Sequence, residues 1–529
     1  MEIKLEEMGK EDFENNMILS NLIFPASRSD CRLLYYQGEL QAACDGEIQL
    51  KHGEKVSFDT YFNAFFYQPY AKHCGISEVV FNVTIHGQIK FSTMIAWGKG
   101  KVRKISEQCA EGKGLTLTVA SVRLEDLPAG GAVYLEAEAV SDTACICAGT
   151  VETEPAEMKP IKVAAIICTY QREDYVYRSI EKIRREVWDR QDSLIQSELD
   201  FFVVDNGQTL SIKSKYHVTL FRNKNYGGSG GFTRGLIEAY RRRNVYTHVL
   251  LMDDDIEFET ESIFRTIQFL KIVRSEAGPV MLGGQMLLED RPLLQYASGS
   301  RYVNGRALVC GEHVDLSRME NLIRNSRRSS AQFNAWWYCC FPLPVLDQIG
   351  LPFPFFIKTD DIEYGLRMKA KLILLNGVGV WHMPFSNKYS PHLEYYIKRN
   401  ELITSAIHRN GAGVGNSMYK LFRSFMKSVV RREPLIIEYV LMAYRDFLKG
   451  PEFLLHLDEE QFNRKLLEIK KEWTRESAKE VMRTISRLFS VAIALSCTYK
   501  RTQEEYMRRQ GELTSFPFWC AHLGVPMVE

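Results

Sequence analysis

Three consecutive aspartates, Asp253, Asp254 and Asp255, are the residues of this chain best suited to chemistry. They follow an apolar run, residues 247–252, which is typical of a buried strand. Adjacent carboxylates repel one another, and a divalent cation relieves that repulsion. Mg²⁺ and Mn²⁺ favour carboxylate oxygens and commonly bridge them to substrate phosphates. The alternative is an acidic turn in which Asp255 stabilises the start of the next helix.

A second acidic pair, Asp360 and Asp361, follows Thr359. One of the two could act as a general base. The alternative is that both stabilise the first turn of a helix capped by Thr359. His382 follows a strand-like segment and could offer a neutral imidazole to a metal, although a lone histidine is more often structural.

Two adjacent indoles, Trp336 and Trp337, could bind a carbohydrate. Tryptophan faces pack well on the C–H faces of sugars, and the indole N–H donates a hydrogen bond. The alternative is that they pack in the core.

The elements that must position these residues alternate between strand and helix after residue 160. This alternation predicts a parallel sheet that binds ligands at its carboxyl edge. Successive strand ends are polar or rich in glycine, and they contain Arg172, Asp205, Asn225 and Gly228. A helix follows the glycines, so backbone N–H groups could face an anion. The alternatives are an ordinary turn at Asp205 and a flexible loop at the glycines.

The flanking regions have different patterns. Residues 1–155 contain short alternating segments, such as Cys31–Tyr36, and predict a β-sandwich. Residues 156–400 form the α/β part, and residues 401–529 are expected to be helical. Within the helical part, residues 418–430 are basic and apolar and suit either an anionic membrane surface or ordinary packing. Residues 459–490 suit a helical hairpin or a homo-oligomer contact.

Net charge, cysteine spacing and the length of apolar runs limit the kinds of protein that this chain can be. The 529 residues carry a net charge of +1, so no global field favours nucleic acid. Twelve cysteines lack a repeated CxxC pair, and Cys145 and Cys147 are too close for an ordinary bridge, so we expect reduced thiols in a cytosolic protein. No apolar run approaches the ~18–20 residues that a membrane span needs.

Several motifs occur together in one order. They are Cys168-Thr-Tyr-Gln-Arg172, Asp205-Asn-Gly207, Asn225 with its glycine run, Met252-Asp-Asp-Asp255, Asn334-Ala-Trp-Trp337, Lys358-Thr-Asp-Asp-Ile-Glu-Tyr364 and Trp381-His-Met-Pro-Phe385. As a set they resemble the galactofuranosyltransferases of glycosyltransferase family 2, including those that polymerise mycobacterial galactan. The resemblance implies an α/β GT-A (Rossmann-like) catalytic domain, with an N-terminal β-sandwich and a C-terminal helical region.

The resemblance also implies a role for each motif. The metal, Mn²⁺ or Mg²⁺, would be held by Asp253, Asp255 and His382. Asp361 would be the catalytic base, and the acceptor would contact Trp336, Trp337 and Asp360. The nucleotide-sugar donor would contact Arg172, Asp205, Asn225, Gly228 and Asp254. The chain departs from the family pattern at Thr359, where an aromatic residue is expected.

The expected reaction is an inverting, metal-dependent transfer of galactofuranose from UDP-galactofuranose. The expected acceptor is a lipid-linked or growing cell-surface glycan, reached by a peripheral enzyme at the cytoplasmic face of the cell membrane. One alternative is a rhamnosyl- or other hexosyltransferase on the same fold. Another is a non-catalytic glycan-binding protein.

Overall fold

The computed structural model describes residues 16–24, 29–38, 43–44, 46–213, 217–327, 330–384, 389–472 and 478–528. The first predicted domain begins at residue 1, and its first fifteen residues lie outside the described part of the chain. Two sheets and a set of helices follow one another along the sequence.

The first sheet is antiparallel and has eight strands. Its strands are β1 (Met17–Asn21), β2 (Ala43–Cys44), β3 (Glu47–Lys51), β4 (Lys55–Ser57), β5 (Glu78–Trp97), β6 (Lys101–Arg123), β7 (Gly131–Ala139) and β8 (Thr143–Thr153), with helix α1 (Gln68–His73) after β4. Along one side, β5 pairs with β6 over its whole length. Along the other side, the first half of β5 pairs with β8 and the second half with β7. The predicted sandwich is therefore one continuous hydrogen-bonded sheet whose two halves share β5.

The segment Cys31–Tyr36 is not the strand that its alternation predicts. Residues Ser29–Leu34 form a 3₁₀-helix. The carbonyl oxygen of Tyr35 accepts hydrogen bonds from the side chains of Thr60 and Asn63, at 2.9 Å and 2.7 Å. Side chains thus take the place of a neighbouring strand, which no alternation pattern reveals.

The second sheet has ten strands and carries the predicted site. Its strands are β9 (Val163–Thr169), β10 (Leu199–Asp205), β11 (Val218–Arg222), β12 (His248–Asp253), β13 (Ile256–Phe258), β14 (Val280–Leu288), β15 (Arg291–Ala297), β18 (Val314–Asp315), β19 (Cys339–Pro342) and β20 (Lys371–His382), with a separate hairpin of β16 (Ser300–Val303) and β17 (Arg306–Val309). The order β11-β10-β9-β12 is parallel, and β19 joins β12 antiparallel. This confirms the predicted α/β sheet. The strand beside β12, β19, runs in the opposite direction to β12.

Helices cover this sheet and continue beyond it. Those of the α/β part are α2 (Glu173–Ile183), α3 (Gly227–Tyr240), α4 (Thr260–Ile272), α5 (Met319–Ser326), α6 (Leu346–Ile349) and α7 (Asp360–Arg367). The helical part has α8 (Leu393–His408), α9 (Val414–Arg431), α10 (Pro434–Leu448), α11 (Glu452–Leu455), α12 (Glu459–Glu472), α13 (Ala478–Leu513) and α14 (Phe516–Leu523). Helix α8 runs through residue 400, the predicted end of the α/β part. The domain boundaries near residues 155 and 400 stay predictions. Among the described helices, none is long and apolar enough to cross a membrane.

A buried ion pair joins the two sheets. Glu261 and Arg265 lie one turn apart on α4, and each side chain is 5% exposed. The Glu261 carboxylate accepts hydrogen bonds from the backbone and side chain of Asn21 on β1, at 2.7 Å and 2.8 Å. Arg265 donates to the Asn21 carbonyl at 3.0 Å and to Glu261 at 2.8 Å. The pair lies on a helix that covers the second sheet, and it therefore satisfies hydrogen-bonding groups of β1, a strand of the first sheet.

We predict that Arg265→Met destabilises the protein by about 3–5 kcal/mol, because it leaves the Glu261 carboxylate buried without its cation. Urea unfolding followed by circular dichroism measures this change. Arg190→Met is the control, since Arg190 pairs with Asp192 on the surface and such pairs contribute about 1 kcal/mol or less. Equal unfolding midpoints for the two variants would contradict the assignment.

Candidate active site

The predicted edge of the second sheet is formed by strands that end in the same row. Asp205 at the end of β10 pairs with Thr169 of β9, and Asp253 at the end of β12 pairs with Cys168. Strands β9 and β12 are almost continuously apolar because helices cover both faces, and their polar residues begin only where that cover ends. This register brings the predicted strand ends together at one edge.

The pKa of the Cys168 thiol is affected by several of these acids. Burial, and then the charges of Asp254, Asp253, Asp360 and Asp205, raise the pKa of its thiol well above the usual value. A single thiol thus experiences carboxylates from both acidic motifs and from the neighbouring strand end. The acid triplet and the second acid pair therefore belong to one site.

Within the triplet, Asp254 is held by its neighbours. Its carboxylate accepts a hydrogen bond from the Thr169 hydroxyl at 2.7 Å and from Arg172 Nη1 at 2.9 Å. Burial raises the pKa of Asp254 to about 6, against the lowering effect of Arg172. Arg172 also contacts Asp255 Oδ2, at 2.7 Å. In this conformation the guanidinium, predicted to contact the donor, balances the charge of the acids.

His382 reaches the triplet through strand pairing. Its position at the end of β20 is opposite Ile256 of β13, directly after the aspartates. Nε2 of His382 lies 3.3 Å from Asp255 Oδ1 and 3.9 Å from Asp253 Oδ2. Nδ1 lies 2.5 Å from the Met383 carbonyl, which can only accept, so Nδ1 is a donor there and Nε2 is the ring nitrogen that faces the acids.

These three residues fit a divalent cation. One ligand atom from each of Asp253, Asp255 and His382 lies within 4.8 Å of the other two. An ion bound at about 2.0–2.5 Å needs ligand atoms at such separations. Two carboxylates and one imidazole suit Mn²⁺ or Mg²⁺, and the Nδ1 hydrogen bond fixes the imidazole for metal binding. The same three residues are the ligands that the family resemblance implies, and their metal binding stays a prediction.

Two other residues predicted to contact the donor, Asp205 and Asn225, hydrogen-bond to the backbone of the loops at this edge. Asp205 is fully buried, and its two carboxylate oxygens accept the N–H groups of Gly207 and Leu210, at 3.0 Å and 2.8 Å. The Asn225 side chain accepts the N–H of Gly227 at 3.0 Å. Both residues hold backbone at the sheet edge, and their direct contact with a donor stays a prediction.

The glycine run is a helix start rather than a flexible loop. Helix α3 begins at Gly227, whose φ is +66° and where a side-chain carbon would lie 2.1 Å from the Phe356 carbonyl oxygen. At Gly231 such a carbon would lie 2.0 Å from the Cys168 sulfur. Glycine is therefore required for close packing of α3 on β9 and on the segment before Asp360. Gly228 lies beside Asp360 and has room for a side chain, at 3.6 Å from the carboxylate.

The second acid pair lies at the amino ends of two helices. Asp360 begins α7 and accepts a hydrogen bond from the Ser229 hydroxyl of α3 at 2.9 Å. Asp361 is half-buried, and its Oδ1 accepts the N–H of Ile362 at 2.8 Å. Burial first, then the Asp360 charge and more weakly Asp253, raise the pKa of Asp361 above the ordinary aspartate value of 3.8. A carboxylate with a raised pKa is a stronger base, as a proton acceptor requires.

Backbone strain precedes this pair. Phe356, Lys358 and Thr359 have φ values of 69°, 69° and 71°, a region that favours glycine. Such conformations cost about 1–3 kcal/mol each and persist only where the surroundings enforce them. Thr359 makes no side-chain cap hydrogen bond to α7, so its predicted capping role is wrong. Its left-handed backbone gives the reason.

Two buried residues of α8 enforce the strained segment. Asn400 donates from Nδ2 to the carbonyls of Ile357 and Lys358, at 3.0 Å and 2.8 Å. Arg399 donates to the Phe355 carbonyl at 2.9 Å. Both side chains are fully buried. Sequence reasoning missed them because a charged run, Lys398 to Glu401, has the pattern of an exposed helix face.

The adjacent indoles are largely buried. Trp336 and Trp337 are each 5% exposed. Trp336 packs edge-on against Phe232 at 5.1 Å between ring centroids, and Trp337 Nε1 donates to the Gly284 carbonyl at 2.9 Å. Little more than an edge of either ring is open to a sugar in this conformation. Their acceptor role stays a prediction, and core packing explains their observed contacts.

A sheet of parallel strands with acidic side chains at its carboxyl edge is the architecture of the GT-A glycosyltransferases. Residues 164–326 match the family model described as Glycosyl transferase family 2, and residues 19–152 match the one described as Galactofuranosyltransferase 2 N-terminal. The chain carries both of these regions, and it is a glycosyltransferase.

Among curated proteins, the chain is similar to galactofuranosyltransferase GlfT2 of Mycolicibacterium smegmatis, with 26% identity over 84% of this chain and 72% of the relative. GlfT2 of Mycobacterium tuberculosis gives 26% identity over 84% of this chain and 74% of the relative. A mannosyltransferase from Pyrobaculum calidifontis, solved with GDP-Man and Mn²⁺, is 14% identical and covers 65% of this chain and 89% of its own, with a TM-score of 0.28. That structural overlap is too small to bear on function.

We predict that Asn400→Ala lowers kcat by roughly 10- to 100-fold, because misplacing a catalytic group by about 1 Å has effects of that size. The Michaelis constant for the donor should change much less. Asn410→Ala is the matched control, since Asn410 donates to the Tyr302 carbonyl at 2.6 Å and has no contact with the strained segment among the described hydrogen bonds. Steady-state kinetics of both variants test this, and equal kcat values would refute a positioning role.

Proposed function

We propose that this glycosyltransferase transfers galactofuranose from UDP-galactofuranose, with inversion and with the help of Mn²⁺ or Mg²⁺. The observation that carries the mechanism is the convergence of Asp253, Asp255 and His382 beside a separate, raised-pKa carboxylate, Asp361. The donor sugar rests on similarity to enzymes named galactofuranosyltransferases.

In the proposed site the carboxylates of Asp253 and Asp255 and the imidazole of His382 would hold the cation, and the cation would supply positive charge to offset that on the departing nucleoside diphosphate. Arg172 keeps Asp254 and Asp255 in place through an ion pair with each of them. Asp205 and Asn225 would keep the adjoining loops in the shape that receives the donor. Gly228 would let that donor approach the start of α3, whose amide groups favour negative charge.

Asp361 is the proposed general base. The acceptor hydroxyl oxygen attacks the anomeric carbon, the bond from that carbon to the phosphate oxygen breaks, and the hydroxyl proton passes to Asp361. Because Oδ1 accepts the Ile362 N–H, Oδ2 is the oxygen that would take the proton. A single displacement with one base and no enzyme nucleophile inverts the anomeric centre. Asp360 is proposed to orient this base and to contact the acceptor, with an edge of Trp336 or Trp337 nearby.

The proposed acceptor is a lipid-linked or growing cell-surface glycan, and the proposed location is the cytoplasmic face of the cell membrane. The basic helix α9 supports peripheral contact, since it carries exposed Met426, Val429 and Val430 beside Arg431. Helices α12 and α13 offer a surface for a homo-oligomer contact. We propose no role in nucleic-acid binding.

We predict that Asp361→Asn lowers the transfer rate by about 10²–10⁴-fold, the usual contribution of a positioned base. Release of UDP from UDP-galactofuranose with a galactofuranosyl acceptor measures the rate, with and without Mn²⁺. Asp192→Asn is the control, because Asp192 is exposed on the surface. Release only from other nucleotide sugars would overturn the donor assignment, and full activity of Asp361→Asn would overturn the base.

We further predict that Asp360→Asn moves the acidic limb of the kcat/KM profile to lower pH. The base must be deprotonated, so activity rises as pH passes through its pKa. The charge of Asp360 raises the pKa of Asp361, and removing that charge lowers it. A pH–rate profile at saturating Mn²⁺ measures the limb. An unmoved limb would show that Asp361 is not the titrating group.

A further inference from the structure

A second group of metal-ligating side chains lies in the first sheet, outside the catalytic site. It consists of Glu47 on β3 and of Cys145 and Cys147 on β8. Cys145 Sγ lies 3.3 Å from Glu47 Oε2 and 3.7 Å from Cys147 Sγ. One ligand atom from each residue lies within 4.8 Å of the other two. We name this group the thiol cluster.

Strand register builds the thiol cluster. Ile48 pairs with Ile146 and Gln49 pairs with Cys145, so Glu47 is adjacent to Cys147 in the same ladder. Both isoleucines are fully buried in the core. Alternate residues of a strand point to opposite faces, so the thiols and the carboxylate share the outer face. All three are half-buried there, where an incoming ion can reach them.

Packing alone gives no reason for this arrangement. The negative charge of the Glu47 carboxylate is not balanced by its two thiol neighbours. Among the described residues, no Lys or Arg forms an ion pair with Glu47. A cation that prefers sulfur would replace the thiol protons and would balance the charge of the Glu47 carboxylate.

We propose that Glu47, Cys145 and Cys147 bind one Zn²⁺ ion that links β3 to β8. Thiolate sulfur selects zinc over Mg²⁺ or Mn²⁺, and a carboxylate oxygen is a common further ligand. Binding releases one proton from each thiol and forms two Zn–S bonds and one Zn–O bond. This site is independent of the proposed transfer reaction.

Cobalt substitution distinguishes the thiol cluster from the catalytic site. The full chain, freed of metal under reducing conditions, is titrated with Co²⁺ and then with Zn²⁺. Thiolate ligands give Co²⁺ a near-ultraviolet charge-transfer band, which Asp253, Asp255 and His382 cannot produce. We expect one equivalent of Co²⁺ to produce the band in wild type and in His382→Ala, and Zn²⁺ to remove it.

The variants identify the ligands. Cys145→Ser and Cys147→Ser should each weaken Zn²⁺ binding by more than the roughly 10- to 100-fold that loss of a ligand's hydrogen-bond partner causes. Glu47→Gln should weaken it as well. Cys109→Ser is the matched control, because Cys109 is an exposed cysteine on β6. Circular dichroism and retained transferase activity establish that each variant is folded.

Two results would overturn the proposal. One is the absence of a charge-transfer band in reduced, folded wild type. The other is unchanged Zn²⁺ affinity in folded Cys145→Ser and Cys147→Ser.

Discussion

Repulsion between carboxylates is the constraint around which the catalytic edge is arranged. The aspartates of both motifs act on one thiol, so they share one electrostatic environment. Three of these acids have partners that reduce the repulsion: Arg172 for Asp254 and Asp255, and Ser229 for Asp360. These contacts leave a concentration of carboxylates at the sheet edge, an arrangement that favours a cation. Burial first, and the charge of Asp360 second, raise the pKa of Asp361 in the same environment.

The position of Asp361, the proposed base, depends on elements far from it in sequence. Helix α3 approaches so closely that glycine is required at Gly227 and Gly231, and α8 supplies Arg399 and Asn400 to the segment before Asp360. The backbone of that segment is strained at Thr359, and the strain persists because buried donors satisfy its carbonyls. An aromatic side chain, which the family pattern favours at this position, would have to adopt the same left-handed backbone. The conformation therefore comes from the surrounding helices rather than from the identity of residue 359.

Much of the edge could be predicted from sequence because its signals are local. An apolar strand that stops in acids, repeated along the chain, predicts where strand ends meet, and the register of β9, β10 and β12 confirms this. The grouping of Asp253, Asp255 and His382 was implied by the family resemblance, and the pairing of β13 with β20 brings the three side chains together. Contacts between remote segments had no comparable signal. Arg399 and Asn400 are hidden in a charged run, the indoles are buried by neighbours that a sequence does not reveal, and Tyr35 is held by side chains instead of a strand.

The first sheet is part of the same mechanical unit as the acids. Strand β1 is satisfied by Glu261 and Arg265 of α4, and α4 follows β13, which pairs with the strand that carries His382. The Tyr35 hydroxyl also donates to Glu259, directly before α4, at 2.7 Å. A displacement of the first sheet would therefore act on α4 and on the pairing of Ile256 with His382. Because a metal site tolerates only small errors in ligand position, stable docking of the first sheet helps to keep the imidazole next to the aspartates.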